Sequence, residues 1–186
     1  MKFRKVAILL VLLSLCGGTL LYADSAVQKI RVILNGSDID EGGIMVDGKT
    51  YLPLRQVASG LQAVVAWDNQ SKKATLYKPN VHMVLFQDNK VFGNVTKGRY
   101  TFNVLAQIDN LTTEVAAVKV SIFDPNGTEK VIQSQTVDIK KDNFWYRTED
   151  FKYNFDLAGK YSVRFYMKLS AADEWTVVSE KLITSQ

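Results

Sequence analysis

Apolar positions along the 186-residue chain follow three rhythms: a basic head with an apolar run, a mixed region, and a long stretch of period two. In the mixed region, a polar lead-in over residues 24–29 gives way to a β-rich run from Arg31 to Leu34, closed by the turn pair Asn35-Gly36. Residues 37–43 are acidic and contain glycine, which predicts a loop. Ile44-Met45-Val46 and Thr50-Tyr51-Leu52 flank Asp47-Gly48, a hairpin signal because Asp-Gly readily takes positive backbone angles. Pro53 falls where the first turn of a helix loses nothing by lacking an N–H. Leu54, Val57, Ala58 and Leu61 share one face at helical spacing, with Arg55, Gln56, Ser59 and Gln62 opposite. Val64 to Trp67 reads as a strand, residues 68–73 as a polar turn, and Ala74 to Lys78 as a closing strand before Pro79-Asn80.

From Val81 the rhythm changes. Val81 to Gln87 is strand-like, and Tyr100, Phe102, Val104, Ala106 and Ile108 alternate onto one face. Val118, Val120 and Ile122 do the same before the turn Asp124-Pro125-Asn126-Gly127. A run over 131–139, a polar and aromatic loop over 140–150, the alternating Phe151, Tyr153 and Phe155, then runs over 161–169 and 175–183 complete seven strands. Such spacing without helix signals predicts a β-sandwich. Leu157 to Val163 resembles the tyrosine corner of immunoglobulin-like sandwiches, with the Tyr161 hydroxyl expected to satisfy a backbone group and Val163 standing where antibody domains carry cysteine. The expected fold class is an α+β small N-terminal domain (β-hairpin, one helix, β-strands) plus an all-β immunoglobulin-like sandwich. The expected divisions are a signal peptide at 1–23, the small domain at 24–79 and the sandwich at 80–186.

The first 23 residues alter the charge picture. Lys2, Arg4 and Lys5, the apolar run of 6–15 broken only by Ser14, Gly17-Gly18 and Ala23 follow the order of a secretory signal cleaved after Ala23. The competing reading is an uncleaved anchor, since a span needs roughly 20 residues. Removal leaves 20 basic against 19 acidic residues, a net charge of +1 in place of +4. No run of more than two Lys or Arg remains, which argues against a nucleic-acid partner. The single cysteine, Cys16, lies in the signal. It resembles a lipid-attachment cysteine except that bulky Leu15 precedes it, so membrane contact is expected only if the signal is retained or Cys16 is lipidated. A chain starting at Asp24 has no thiol for a disulfide, a metal or nucleophilic catalysis.

Residues 30–78 carry a family resemblance. Leu34-Asn35-Gly36, Val46-Asp47-Gly48, Thr50-Tyr51-Leu52-Pro53-Leu54-Arg55, Leu61 and Val65-Ala66-Trp67-Asp68 resemble the copper amine oxidase N-terminal-like, or stalk, domain of secreted Gram-positive bacterial proteins. The resemblance implies an accessory module. One departure stands out: Gln62 occupies the place where the family has Gly after the helix, which predicts a strained or altered helix end.

Candidate chemistry is sparse. A catalytic copper or zinc site needs several nitrogen or sulfur ligands, and His82 is the one histidine, so no metal or other cofactor is expected and a hydrolase triad has no second support. Asp38, Asp40 and Glu41, and Glu149-Asp150, read as solvated loop charge; a calcium ion held by the first cluster stays open as an alternative, although the spacing and glycine of a calcium loop are absent. Phe144-Trp145-Tyr146 is the candidate binding triplet, able to stack on sugars or grip a protein partner; the opposing expectation tucks Phe144 and Tyr146 under the sandwich edge. Trp67 and Trp175 are expected in the core, and Arg55 is expected to pair with Asp47 or Asp68. Five Asn-x-Ser/Thr sequences, at Asn35, Asn69, Asn94, Asn110 and Asn126, read as turn chemistry. The sequence thus predicts a secreted, non-enzymatic cell-envelope protein that binds a cell-wall polysaccharide or surface protein, or acts as a spacer. A weak carboxylate-based hydrolase and a purely structural assembly subunit stay open as alternatives.

Overall fold

The computed structural model describes residues 27–140 and 142–186. The expected signal segment and Cys16 lie outside the described residues. Among the described residues no helix is long and apolar enough to cross a membrane. The chain divides into two compact units, one ending at Pro53 and one running Leu54–Gln186.

The described part of the first unit consists of five short strands: β1 (Gln28–Ile30), β2 (Ile33–Leu34), β3 (Ser37–Asp38), β4 (Gly43–Val46) and β5 (Lys49–Tyr51). β1, β4 and β5 form one antiparallel sheet in that order, and β2 pairs with β3. Both turn pairs act as their residues predict. Asn35 and Gly36 have φ of 52° and 82°, and Asp47 and Gly48 have 49° and 72°, the left-handed values that two-residue hairpins need at both central positions. Two expectations change here. The lead-in contributes β1, because Gln28 to Ile30 find partners on β4. The loop expected over 37–43 begins as β3, because the Asn35-Gly36 turn folds Ser37 and Asp38 back onto Leu34 and Ile33.

The second unit opens with α1 (Leu54–Gly60), directly after Pro53. Its end is not altered, only strained. The Ala63 N–H donates to the Ala58 carbonyl at 2.8 Å and the Gln62 N–H to the Ser59 carbonyl at 2.9 Å, the paired bonds of a Schellman cap. Gln62 takes the left-handed position with φ of 57°, at a cost that glycine would not incur. Ala58 is the fully buried residue of the helix, whereas Leu54 and Leu61, expected on its covered face, are 41% and 45% exposed. β6 (Val64–Asp68) and β7 (Lys73–Tyr77) form the expected hairpin. Asp68 closes the turn by accepting from the Gln70 N–H at 2.9 Å and from the Ser71 hydroxyl. These bonds, that of Ser71 first, hold the carboxyl below its ordinary range.

The remaining strands build the sandwich: β8 (Asn80–Gln87), β9 (Lys90–Val91), β10 (Asn94–Val95), β11 (Gly98–Asp109), β12 (Glu114–Phe123), β13 (Glu129–Lys140), β14 (Phe144–Arg147), β15 (Phe151–Phe155), β16 (Gly159–Lys168) and β17 (Thr176–Ser185). One sheet has the order β10-β17-β16-β12-β13. The other has the order β14-β11-β8-β9, and β15 continues along the same edge of β11 as β14. Alternation supplies the core from both sheets: Leu85, Phe102, Val104, Ala106, Ile108, Val118, Val120, Ile122, Phe155, Tyr161, Val163 and Phe165 are buried to within 1%. Each large side chain so buried contributes about 1.5–3 kcal/mol of transfer free energy. Phe155 sets its ring 4.9 Å from those of both Tyr153 and Tyr161, edge to face. The tyrosine corner forms as expected: the Tyr161 hydroxyl accepts from the Leu157 N–H at 3.0 Å and donates to the Leu157 carbonyl at 3.1 Å.

Candidate functional site

The triplet Phe144-Trp145-Tyr146 lies on a strand, not in the expected loop. β14 pairs antiparallel with β11, matching Ile108 to Phe144, Gln107 to Trp145, Ala106 to Tyr146 and Leu105 to Arg147. Strand pleating then sends successive side chains to opposite faces. Tyr146 turns inward, 6% exposed, its ring 5.9 Å from that of Phe165. Burial pushes its phenol up. Phe144 packs half-buried against the same core. Trp145 turns outward and is 74% exposed. The three aromatics therefore do not form one surface, and Trp145 alone among them meets solvent broadly.

What accompanies Trp145 is set by cross-strand register. Trp145 stands beside Gln107, which stands beside His82 on β8. In the next outward row Arg147 neighbours Leu105 and Val84, and beyond it Asn103 neighbours Phe86. Polar side chains fix one another across these rows. The Arg147 Nε donates to the Asn103 Oδ1 at 3.0 Å, and the Asn103 Nδ2 donates to the Asp150 Oδ1 at 2.8 Å. The Arg147 guanidinium carbon also sits 5.6 Å from the centre of the Phe86 ring, a contact worth about 0.5–1 kcal/mol at an exposed site. Gln107 is tied down by donating to Asp109 at 2.9 Å. The outcome is an open face with one large exposed indole and two amides held in set orientations.

The other expected residues sit apart from this face or serve structure. His82 is an exposed residue of β8, as the strand reading expects. Asp38 receives the Arg31 guanidinium on both oxygens, at 2.5 and 2.6 Å, and that bond holds the carboxyl below its ordinary range. Asp68, one of two partners expected for Arg55, is instead occupied by its own turn. Asp150 belongs to the outer face, and the Glu149 N–H donates to the Gln133 side chain at 2.8 Å. Trp67, expected in the core, is 51% exposed on the two-stranded β6-β7 sheet. Trp175 precedes β17, half-buried, with the Lys168 ammonium 4.9 Å from its ring centre. Among the described residues no group of three or more His, Cys, Asp and Glu is positioned to hold a metal.

Fold and site together define a small β-rich module, led by a short mixed region, that presents an aromatic and amide face. Residues 33–123 match the family described as the copper amine oxidase N-terminal domain. The match runs from β2 to the end of β12, further than the 30–78 stretch that carries the resemblance in sequence. That family is a non-catalytic part of copper amine oxidases. No curated protein matches the chain. Among solved structures, a protein of Bacteroides fragilis described as a β-galactosidase is 16% identical, with a TM-score of 0.38 over 59% of this chain and 17% of its own. A β-glucosidase from Listeria innocua in complex with isofagomine is 8% identical, with a TM-score of 0.32 over 61% of this chain and 17% of its own. The chain thus spans 17% of the length of either, and overlaps of this size carry no functional argument.

Proposed function

We propose that the chain is an exported, non-enzymatic module of the cell envelope. Residues 24–79 serve as the stalk-like portion and the sandwich of 80–186 engages a wall polysaccharide or surface protein. The observation that carries the binding half of this reading is Trp145, held 74% exposed on an edge strand whose neighbours are locked by hydrogen bonds. Among the described sandwich residues the other aromatics are buried or half-buried, and Trp145 is the one left broadly in water, which marks it as a contact surface. The match of residues 33–123 to a non-catalytic domain supports the absence of chemistry.

The test has two arms. Cells producing the full chain are fractionated into medium, wall and membrane, and the intact mass is measured. A species beginning at Asp24 in medium or wall is expected; a cytoplasmic species retaining residues 1–23 refutes export. In the second arm the purified protein is sedimented with isolated cell wall. Co-sedimentation that Trp145→Ala abolishes supports the reading, and equal recovery of both proteins sinks it.

A further inference from the structure

We infer that the outer face of the β14-β11-β8 sheet is a binding site for a neutral polysaccharide chain, running diagonally from Trp145 to Phe86; this deepens the envelope-binding reading and rests on it. Three observations carry the inference.

The first is the kind of surface. Sugar rings present weakly polar C–H faces with hydroxyls around the rim, so they are bound by an aromatic platform flanked by planar groups that donate and accept at once. Trp145 supplies the platform, and Gln107 stands directly beside it. Asn103 and Asp150 add amide and carboxylate positions further along.

The second is preorganisation. Asn103 is clamped between Arg147 and Asp150, and Gln107 is held by Asp109. Their side-chain entropy is already spent in the free protein, which reduces what a weakly binding, hydroxyl-rich ligand must overcome. A protein partner would instead seek a broad apolar centre. Here Leu105, Val84 and Phe86 are only half-exposed, and Arg147 lies over the Phe86 ring.

The third is charge and length. The face sets two carboxylates, Asp109 and Asp150, against the Arg147 guanidinium, so it has no positive surplus to attract a polyanionic chain. From Trp145 to Phe86 the path crosses two strand spacings and four residues along β8, roughly 16 Å on the diagonal at ordinary strand dimensions. That distance accommodates several sugar units, which selects a chain over a monosaccharide.

Affinity electrophoresis of the full chain tests this directly, with hydroxyethylcellulose, xylan and laminarin as neutral probes and polygalacturonate as the anionic one. Retardation by at least one neutral polymer is expected, and it should persist at about 0.5 M NaCl because no ion pair is involved. Trp145→Ala should weaken it about tenfold or more, as loss of an aromatic anchor does. Gln107→Ala, an exposed change that leaves the core untouched, should weaken it several-fold with an unchanged melting temperature. Retardation by none of the neutral polymers overturns the inference, as does retardation by polygalacturonate alone or neutral-polymer binding that neither variant weakens. Wall co-sedimentation without any neutral-polymer binding would overturn the ligand class while leaving the envelope-binding reading standing; loss of both would remove the two together.

Discussion

Replacing Tyr161 with Phe removes one oxygen from the tyrosine corner and little else. The ring is 1% exposed and keeps its edge-to-face contacts with Phe155 and Tyr153, at 4.9 and 5.9 Å between centroids. What disappears is the hydroxyl that accepts from the Leu157 N–H and donates to the Leu157 carbonyl. Leaving a buried backbone group unpaired costs about 1–3 kcal/mol, against a net 0.5–1.5 kcal/mol for an ordinary hydrogen bond. Leu157 is 37% exposed, so water reaches part of the vacated site and the two losses do not sum in full. A destabilisation of about 2 kcal/mol follows, or roughly 4–8 °C in Tm for a chain of this size. Urea unfolding should show a lower midpoint with the slope m unchanged, since the surface exposed on unfolding is the same. A Tyr161→Phe protein within about 0.5 kcal/mol of the original would mean that the corner is a packing feature and its hydrogen bonds are incidental.

Gln62→Gly should stabilise the second unit by about 0.5–1 kcal/mol, because relief of the left-handed strain outweighs the added freedom of the unfolded chain; a lower denaturation midpoint would contradict the cap geometry. Asp124 accepts from the Thr128 N–H at 2.8 Å and the Asn126 N–H at 2.9 Å, and these bonds, that of Thr128 first, hold its carboxyl below the ordinary 3.8. A depressed carboxyl contributes stability above its unfolded value and loses it as pH falls through the folded one, so Asp124→Asn should be less stable near pH 7, with the difference in urea melts shrinking as pH falls below the ordinary carboxylate range. Tyr153 runs the other way: burial, aided by the charge of Tyr161, raises its phenol from 10.0 to about 12. That stability is complete below 10 and disappears as pH rises through 12, so Tyr153→Phe should resist alkaline unfolding better, and a phenolate titration at the ordinary value would refute the assignment.

Alternation is what made the sandwich readable. In β11 every second residue from Phe102 to Ile108 is within 1% of full burial, and the same period runs through β12 and β16 because a pleated strand between core and water can hardly be written otherwise. Turn pairs were equally direct: Asn35-Gly36 and Asp47-Gly48 adopt the positive φ values that their residue types favour. The misreadings fall on short strands. β3 spans two residues and β14 four, too few for periodicity to register against a polar background. Trp67 shows a related failure. Its neighbours alternate acceptably, but alternation assigns a residue to a face without saying whether anything covers that face.

The outer face of the sheet was hidden for a deeper reason, since no single stretch of sequence contains it. The register that sets residue 145 beside 107 and 82 is a property of three strands together. One trace was legible: Asn103 and Gln107 share their parity with Arg99, Thr101 and Asp109, the polar positions of the strand. The rest depends on how the edge strand is broken. Between β14 and β15 the chain departs from β11, which would leave Val104 without partners at the sheet edge. Thr148, 4% exposed, prevents that. Its hydroxyl accepts from the Val104 N–H at 3.0 Å, and its own N–H donates to the Val104 carbonyl at 3.0 Å. The break is thereby pinned at one residue. Arg147 just before it and Asp150 just after it both reach Asn103, so a backbone repair in the edge strand is also what assembles the polar half of the face.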